Sequence, residues 1–242
     1  MIELFLRSLE RYGAIGAEEK SALAAAVSHT RTVHRDEDIV RDGACPTECA
    51  VMLEGLACRY KLLSEGRRQI IAFNLPGEAC DLQALWMEMD HSVGALTTVK
   101  MAMIPHARLR EVMHRHPGAG AALWRLNLAD ASVLREWIVG LGRRTAYGRV
   151  AHLVCELRTK LLALGLPAEM GFDLPLTQAD VGDAVGLSIV HVNRVLQRLR
   201  AKGLVNLRGG RLTVQDWNGL LAAAEFDPAY LHLRGRKAPP TH

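Results

Sequence analysis

Residues 177–202, TQADVGDAVGLSIVHVNRVLQRLRAK, constrain this chain more than any other stretch, because they read as two short helices around a tight turn. Thr177 and Asp180 stand at the spacing of a capping box, in which the hydroxyl and the acidic side chain satisfy amide groups that a helix start leaves free. The pattern predicts a helix from Gln178, with Val181, Ala184 and Val185 on its apolar face. Gly186 then offers a residue tolerant of positive φ at the turn, and Ser188 caps a second helix. In that helix Val192, Val195, Leu196 and Leu199 recur at the spacing of a stripe packed on a core. The opposite stripe carries Val190, Asn193, Arg194 and Gln197, with His191 beside it. Arginine can bond guanine through two nitrogens, asparagine or glutamine can do likewise with adenine, and valine can meet a thymine methyl. These five residues are the candidate base readers, and Thr177, Gln178 and Ser188 are candidate phosphate contacts. An ordinary amphipathic helical hairpin with a solvated polar face is the competing reading.

Beyond Lys202, the run GLVNLRGGRLTV alternates apolar residues around Gly209-Gly210, which predicts a β-hairpin. Arg208 and Arg211 flank its tip and are candidate phosphate contacts, which position a protein without reading sequence. A solvated turn carrying two exposed arginines is the alternative. Charge is divided to match: residues 1–140 hold 16 Lys+Arg against 18 Asp+Glu, a net of −2, whereas residues 141–242 hold 14 against 8, a net of +6. The basic half is the one with the helical pair, which favours phosphate binding there and another task at the other end.

That other end reads as a helical segment, Glu18 to Val27, followed by short strands at 39–40, 50–54, 56–63, 68–73, 93–96 and 99–104. Asp42-Gly43, Glu54-Gly55 and Ser64-Glu65-Gly66 separate them as turns. Regular short strands predict a small barrel or roll, a build shared by sensory domains and by cupin-like enzymes. Between the halves, Pro117 to Leu141 reads as one long helix closed by Gly140 and Gly142. Leu123, Leu126, Val133 and Trp137 lie near one face and are the candidate seam with a second copy, although Asp130 interrupts it. The same face would serve equally well to pack the helix on its own roll.

The arrangement resembles the Crp/Fnr superfamily of bacterial transcription regulators over nearly the whole chain. GRRTAYGRVAHLVCEL at 142–157 is similar to the helix that opens the family's DNA-binding domain, and LPLTQADVGDAVGLS at 174–188 to its helix-turn-helix entry. Arg194 falls at the family's principal base-reading arginine, while Ile189 and Val190 stand where well-known members carry polar or charged residues. The resemblance implies an α+β chain: an amino-terminal β-roll like the cyclic-nucleotide-binding jelly roll over 1–116, a dimerisation helix over 117–141, and a winged helix-turn-helix over 142–242. It also implies a homodimer on a pseudopalindrome of double-stranded DNA, with recognition helices about one turn, ~34 Å, apart. RNA polymerase and an unidentified small-molecule effector are the further partners it implies.

In cyclic-nucleotide-binding members the ligand is cradled by a Gly-Glu pair and an Arg-Ser pair. Gly77-Glu78 supplies the first here, but the second is His91-Ser92, so the phosphate-binding arginine is missing. These four residues are the candidate effector pocket, and the missing bidentate clamp argues against a cyclic nucleotide. Fnr-type iron–sulfur ligation needs closely spaced cysteines near the amino terminus. Residues 1–44 have none; the five cysteines are Cys45, Cys49, Cys58, Cys80 and Cys155. No cofactor is therefore expected, and redox or metal sensing by the roll cysteines remains a weaker alternative. His106, His114 and His116 lack any ligand motif and fit a solvated helix end.

An enzyme is not expected, since paired acid/base groups, HExxH, a phosphate loop and a nucleophile elbow are all missing. An architectural DNA binder without sequence preference would keep the basic half but make poor use of Asn193 and Arg194. No apolar run approaches the roughly 18 residues of a membrane span, and the opening MIELFLRSLE lacks a signal peptide's features, so the expected location is the cytoplasm.

Overall fold

The computed structural model describes residues 1–168, 171–208 and 210–233. The chain forms two compact units, one of Met1–Arg59, Phe73–Ser132 and the piece from Leu231, the other of Tyr60–Ala72 and Val133–Tyr230.

The first unit holds the covering helices and all of the roll except Tyr60–Ala72, which belongs to the second. It opens with two helices, α1 (Glu3–Tyr12) and α2 (Ala17–Ala25). The strands are β1 (His29–Val33), β2 (Asp38–Val40), β3 (Glu48–Glu54), β4 (Ala57–Leu62), β5 (Arg68–Asn74), β6 (Ser92–Ala95) and β7 (Val99–Pro105). They make a three-stranded sheet in the order β1-β7-β3 and a four-stranded sheet in the order β2-β6-β4-β5. The β3–β7 pairing shifts register between Met52 and Glu54, the mark of a bulge that bends a strand. Val33, Met52, Met89, Val93 and Met101 fill the roll's interior.

A second cluster explains the helices around the roll. Phe5 and Leu9 of α1 and Leu23 of α2 pack with Cys49, Val51, Ala102 and Ile104 from β3 and β7. Helix α3 (His106–Arg115) adds Leu109 and Val112, and the long helix α4 (Pro117–Arg143) adds Ala119, Ala122 and Leu123. Helix α1 and strand β1 are among the elements that escaped the sequence reading. Helix α1 is buried at Phe5, Ser8 and Leu9. Strand β1 exposes four of its five residues, so it lacks apolar alternation and is held by pairing with β7 from His29↔Met103 to Val33↔Val99. His106 is a correction: it is buried at the start of α3, with burial pushing its ring below the usual pKa, while His114 lies on the exposed side.

The proposed α4 seam is also corrected. Leu123 belongs to the roll's buried cluster, Leu126 packs against it, and Val133 is only 8% exposed, so these side chains are covered within one copy. Trp137 donates its indole N–H to the carboxylate of Glu156 at 3.0 Å. Asp130, which seemed to interrupt the seam, forms an ion pair with Arg59. The apolar side chains that α4 leaves open are others: Trp124, Leu128, Ile138 and Val139, the first 62% and the third 69% exposed.

The second unit carries the carboxyl half of α4, then α5 (Ala146–Ala163), α6 (Gln178–Val185), α7 (Ile189–Ala201) and α8 (Trp217–Ala224). Short strands β8 (Phe172–Asp173), β9 (Val205–Arg208) and β10 (Arg211–Val214) form an antiparallel sheet in the order β8-β10-β9. Among the described residues, no helix is long and apolar enough to cross a membrane.

Candidate nucleic-acid interface

The two helices form where the caps require. The Thr177 hydroxyl accepts from the Asp180 amide at 3.1 Å, and the Asp180 carboxylate accepts from the Thr177 amide at 2.9 Å, completing the capping box. Ser188 accepts from the amide of His191, opening α7. Gly186 turns the chain in the left-handed region at φ 66°. Gly182 is a requirement that the sequence reading missed. Its own carbonyl accepts from the Leu187 amide, and a Cβ there would stand 2.5 Å from the Leu187 carbonyl oxygen, so only a hydrogen fits.

Helix α7 divides as its period predicts. Val192, Val195 and Leu199 are buried, whereas Val190, His191, Asn193, Arg194 and Gln197 are all exposed on the outer side. Val190 is 68% exposed and places an apolar side chain on the open stripe. Asn193 reaches back to Gln178 at 3.4 Å, linking the two helices across the turn. Arg198, off the reading stripe, stacks over the Tyr147 ring at 4.6 Å.

The phosphate candidates behave differently from one another. Thr177 and Ser188 are exposed and Gln178 half-buried, at the amino ends of α6 and α7, where backbone N–H groups favour anions. The hairpin forms as predicted, with Arg211 opposite Arg208. Arg211 is already engaged, its guanidinium 3.2 Å from Asp173 and from the carbonyl of Gly171. The side chain of Arg208, and Gly209, lie outside the described residues.

A further support for the site was not visible in the sequence. In the second unit Arg68, from β5, donates to Asp180 at 2.6 Å and to Asp183 at 2.8 Å, and Gln69 donates to the Ala184 carbonyl at 3.3 Å. Burial pushes the Asp180 carboxyl up, but bonds from Thr177 and Arg68 outweigh it and hold it below the usual carboxylate range. The reading helix pair is thus braced at both ends of α6.

The candidate effector residues each make local contacts. Gly77 adopts φ 85°, a left-handed conformation, and a Cβ there would meet Leu4 at 2.9 Å. Glu78 closes that same turn, its carboxylate accepting from the Leu75 amide at 3.0 Å. The His91 ring is bonded to Asp90 at 2.6 Å, and the Ser92 hydroxyl accepts from the Asp42 amide. Each residue of the four thus has a local structural task.

Cys45 is exposed and the other four cysteines are buried. Burial pushes the Cys49 and Cys80 thiols well above their usual range and Cys155 up to about 12. Such thiols stay protonated and unreactive. Among the described residues, no group of three His, Cys, Asp or Glu side chains is arranged to hold a metal ion.

Two family models match, one in each half of the chain. Residues 30–116 match the cyclic nucleotide-binding domain family and residues 148–223 the Crp-like helix-turn-helix domain family. The nitrogen fixation regulation protein FixK of Bradyrhizobium diazoefficiens is 32% identical over 191 residues, covering 78% of this chain and 76% of that protein. The transcriptional activator protein FnrL of Cereibacter sphaeroides is 28% identical over 213 residues, covering 86% of each. In three dimensions the structure of FixK2 from Bradyrhizobium japonicum superimposes with a TM-score of 0.75 at 25% identity, over 81% of this chain and 97% of that one. The capping box, the exposed readers of α7 and a relative matched at that level along both domains together establish that the chain belongs to the Crp/Fnr family of bacterial transcription regulators.

Proposed function

We propose that the protein is a sequence-specific DNA-binding transcription regulator that acts as a homodimer. The observation that carries this reading is the outer face of α7, where an exposed guanidinium, two amides and a bare valine share one stripe beside two capped helix starts. Arg194 and Asn193 offer bidentate partners for guanine and adenine, and Val190 an apolar partner for a thymine methyl. The net positive charge of the carboxy-terminal half supplies the sequence-independent attraction to phosphate. Relatives named as transcriptional activators favour activation, with RNA polymerase as the partner that activation requires.

The dimer reading now rests on the open apolar stripe of α4. Trp124, Leu128, Ala131 and Ile138 recur at helical spacing, and three of them are exposed large hydrophobics. A second copy of the same stripe is the self-complementary cover that a two-fold axis provides. A cyclic nucleotide is not part of this reading, because His91, already held by Asp90, replaces the arginine that would clamp its phosphate.

Selection of bound duplexes from a random pool tests the proposal. Enrichment of a shared sequence at physiological salt, resistant to unrelated competitor DNA, is expected. A pool that stays random while the protein still binds would instead identify an architectural binder.

A further inference from the structure

Helix α7 opens on two neighbouring β-branched side chains that stand free of the core: Ile189 is 55% exposed and Val190 68%. Single exposed apolar residues are common, but these two occupy the amino end of the helix, the end that meets base edges when such a helix enters the major groove. One turn further on, Asn193 follows Ile189 and Arg194 follows Val190, each at i+4, and both are exposed. Each apolar side chain therefore has a polar reader one turn along the same side.

The helix pair has no anionic group left to serve the same edge. Ser188 to Lys202 contains neither aspartate nor glutamate. The two carboxylates of α6 are engaged, Asp180 by Arg68 at 2.6 Å and Asp183 by Arg68 at 2.8 Å. Carboxylates are the side chains that accept from the amino group of cytosine, whereas apolar ones meet the methyl at C5 of thymine. That methyl occupies the same place in the major groove on thymine and on 5-methylcytosine, and uracil and cytosine lack it.

We infer that Ile189 and Val190 read C5-methyl groups, so that the protein prefers thymine to uracil, and 5-methylcytosine to cytosine, at the base pairs they face. This rests on the DNA-binding function proposed above and specifies which feature of the duplex the first turn of α7 takes. A helical turn spans about 5.4 Å and a base step about 3.4 Å, so these pyrimidines fall within about two steps of the bases met by Asn193 and Arg194. Methylation of cytosine at such a position strengthens binding, which makes occupancy responsive to the methylation state of the DNA.

The test uses the full chain and the duplex that selection from a random pool yields. At each pyrimidine of the selected sequence, four duplexes carrying thymine, uracil, 5-methylcytosine or cytosine, with the matching purine opposite, are compared by competition at fixed salt. At one or two positions thymine should bind about three- to fivefold more tightly than uracil, the worth of one buried methyl, and 5-methylcytosine more tightly than cytosine by the same factor. Ile189→Ala and Val190→Ala keep the helix, and each should bring one of these ratios close to one. Uracil matching thymine and cytosine matching 5-methylcytosine at every position would overturn the inference. So would ratios that persist in the double variant Ile189→Ala/Val190→Ala with an unchanged melting curve. A pool that stays random overturns base reading and this inference together, whereas a selected sequence indifferent to the methyl overturns this inference alone.

Discussion

Helices α4 and α7 bury one stripe alike and differ in what the other stripe offers. On α7 the buried side is Val192, Val195 and Leu199, and the open side carries Asn193, Arg194 and Gln197. On α4 the buried side is Leu123, Leu126 and Val133, and the open side carries Trp124, Leu128 and Ile138. An apolar stripe shows only that a helix packs. The chemistry of the opposite stripe indicates the partner: donors and acceptors suit base edges, whereas bare aromatic and aliphatic surface suits another protein copy.

The largest expected effect comes from breaking the α4 half of this comparison. Leu128→Glu with Ile138→Glu places charges on the open stripe and leaves the buried one intact. Sedimentation should then report a folded monomer, and affinity for a palindromic duplex should fall by about 10²-fold or more as the second half-site contact is lost. Val133→Glu should fail differently, because it buries an unpaired charge inside one copy and costs about 3–5 kcal/mol of folding stability in denaturant titrations. A Val133→Glu protein that melts like wild type but sediments as a monomer would return the seam to the covered face.

Next in size is an acid-dependent loss in the second unit. Burial depresses His152 from 6.5 to about 4, so between those values the unfolded chain takes up a proton that the folded one does not. Stability should be independent of this group above pH 6.5 and fall by about 3 kcal/mol as pH drops towards 4. His152→Phe, which keeps an aromatic ring beside Tyr230 and Phe226, should flatten that part of the curve measured by urea titration.

On α7, Arg194→Ala and Asn193→Ala should each cost about 1–3 kcal/mol of discrimination at particular base pairs, read as relaxed preference at those positions and little change elsewhere. Thr177→Ala has the smallest expected effect, about 1 kcal/mol of stability from the lost cap, visible as a lower melting midpoint.

The helix-turn-helix was legible because its determinants are local. A cap at Thr177, a glycine at 186, a cap at Ser188 and a periodic stripe lie within one short segment and need no tertiary knowledge. The α4 face was misread for the converse reason. Periodicity locates apolar stripes, but which of two is covered depends on α1, α2 and the roll, whose contribution through Phe5 and Leu9 no local pattern announces. Strand β1 was hidden because its exposed residues are held by pairing with β7 rather than by burial. The brace of Arg68 on Asp180 and Asp183, and the bonding of Trp137 and Tyr230 to Glu156, join residues far apart in sequence. Gly77-Glu78 reproduces a familiar pair, and its conformation is that of a turn packed against Leu4.

By the function proposed above, α7 reads bases while the open stripe of α4 pairs two copies. Sequence selection run in parallel on the wild-type chain and on Leu128→Glu/Ile138→Glu tests both parts together. Wild type is expected to enrich two half-sites related by two-fold symmetry, about one helical turn or ~34 Å between centres, and the variant one half-site with the same base preferences. A single half-site from the wild type, or a full palindrome retained by the variant, would contradict it.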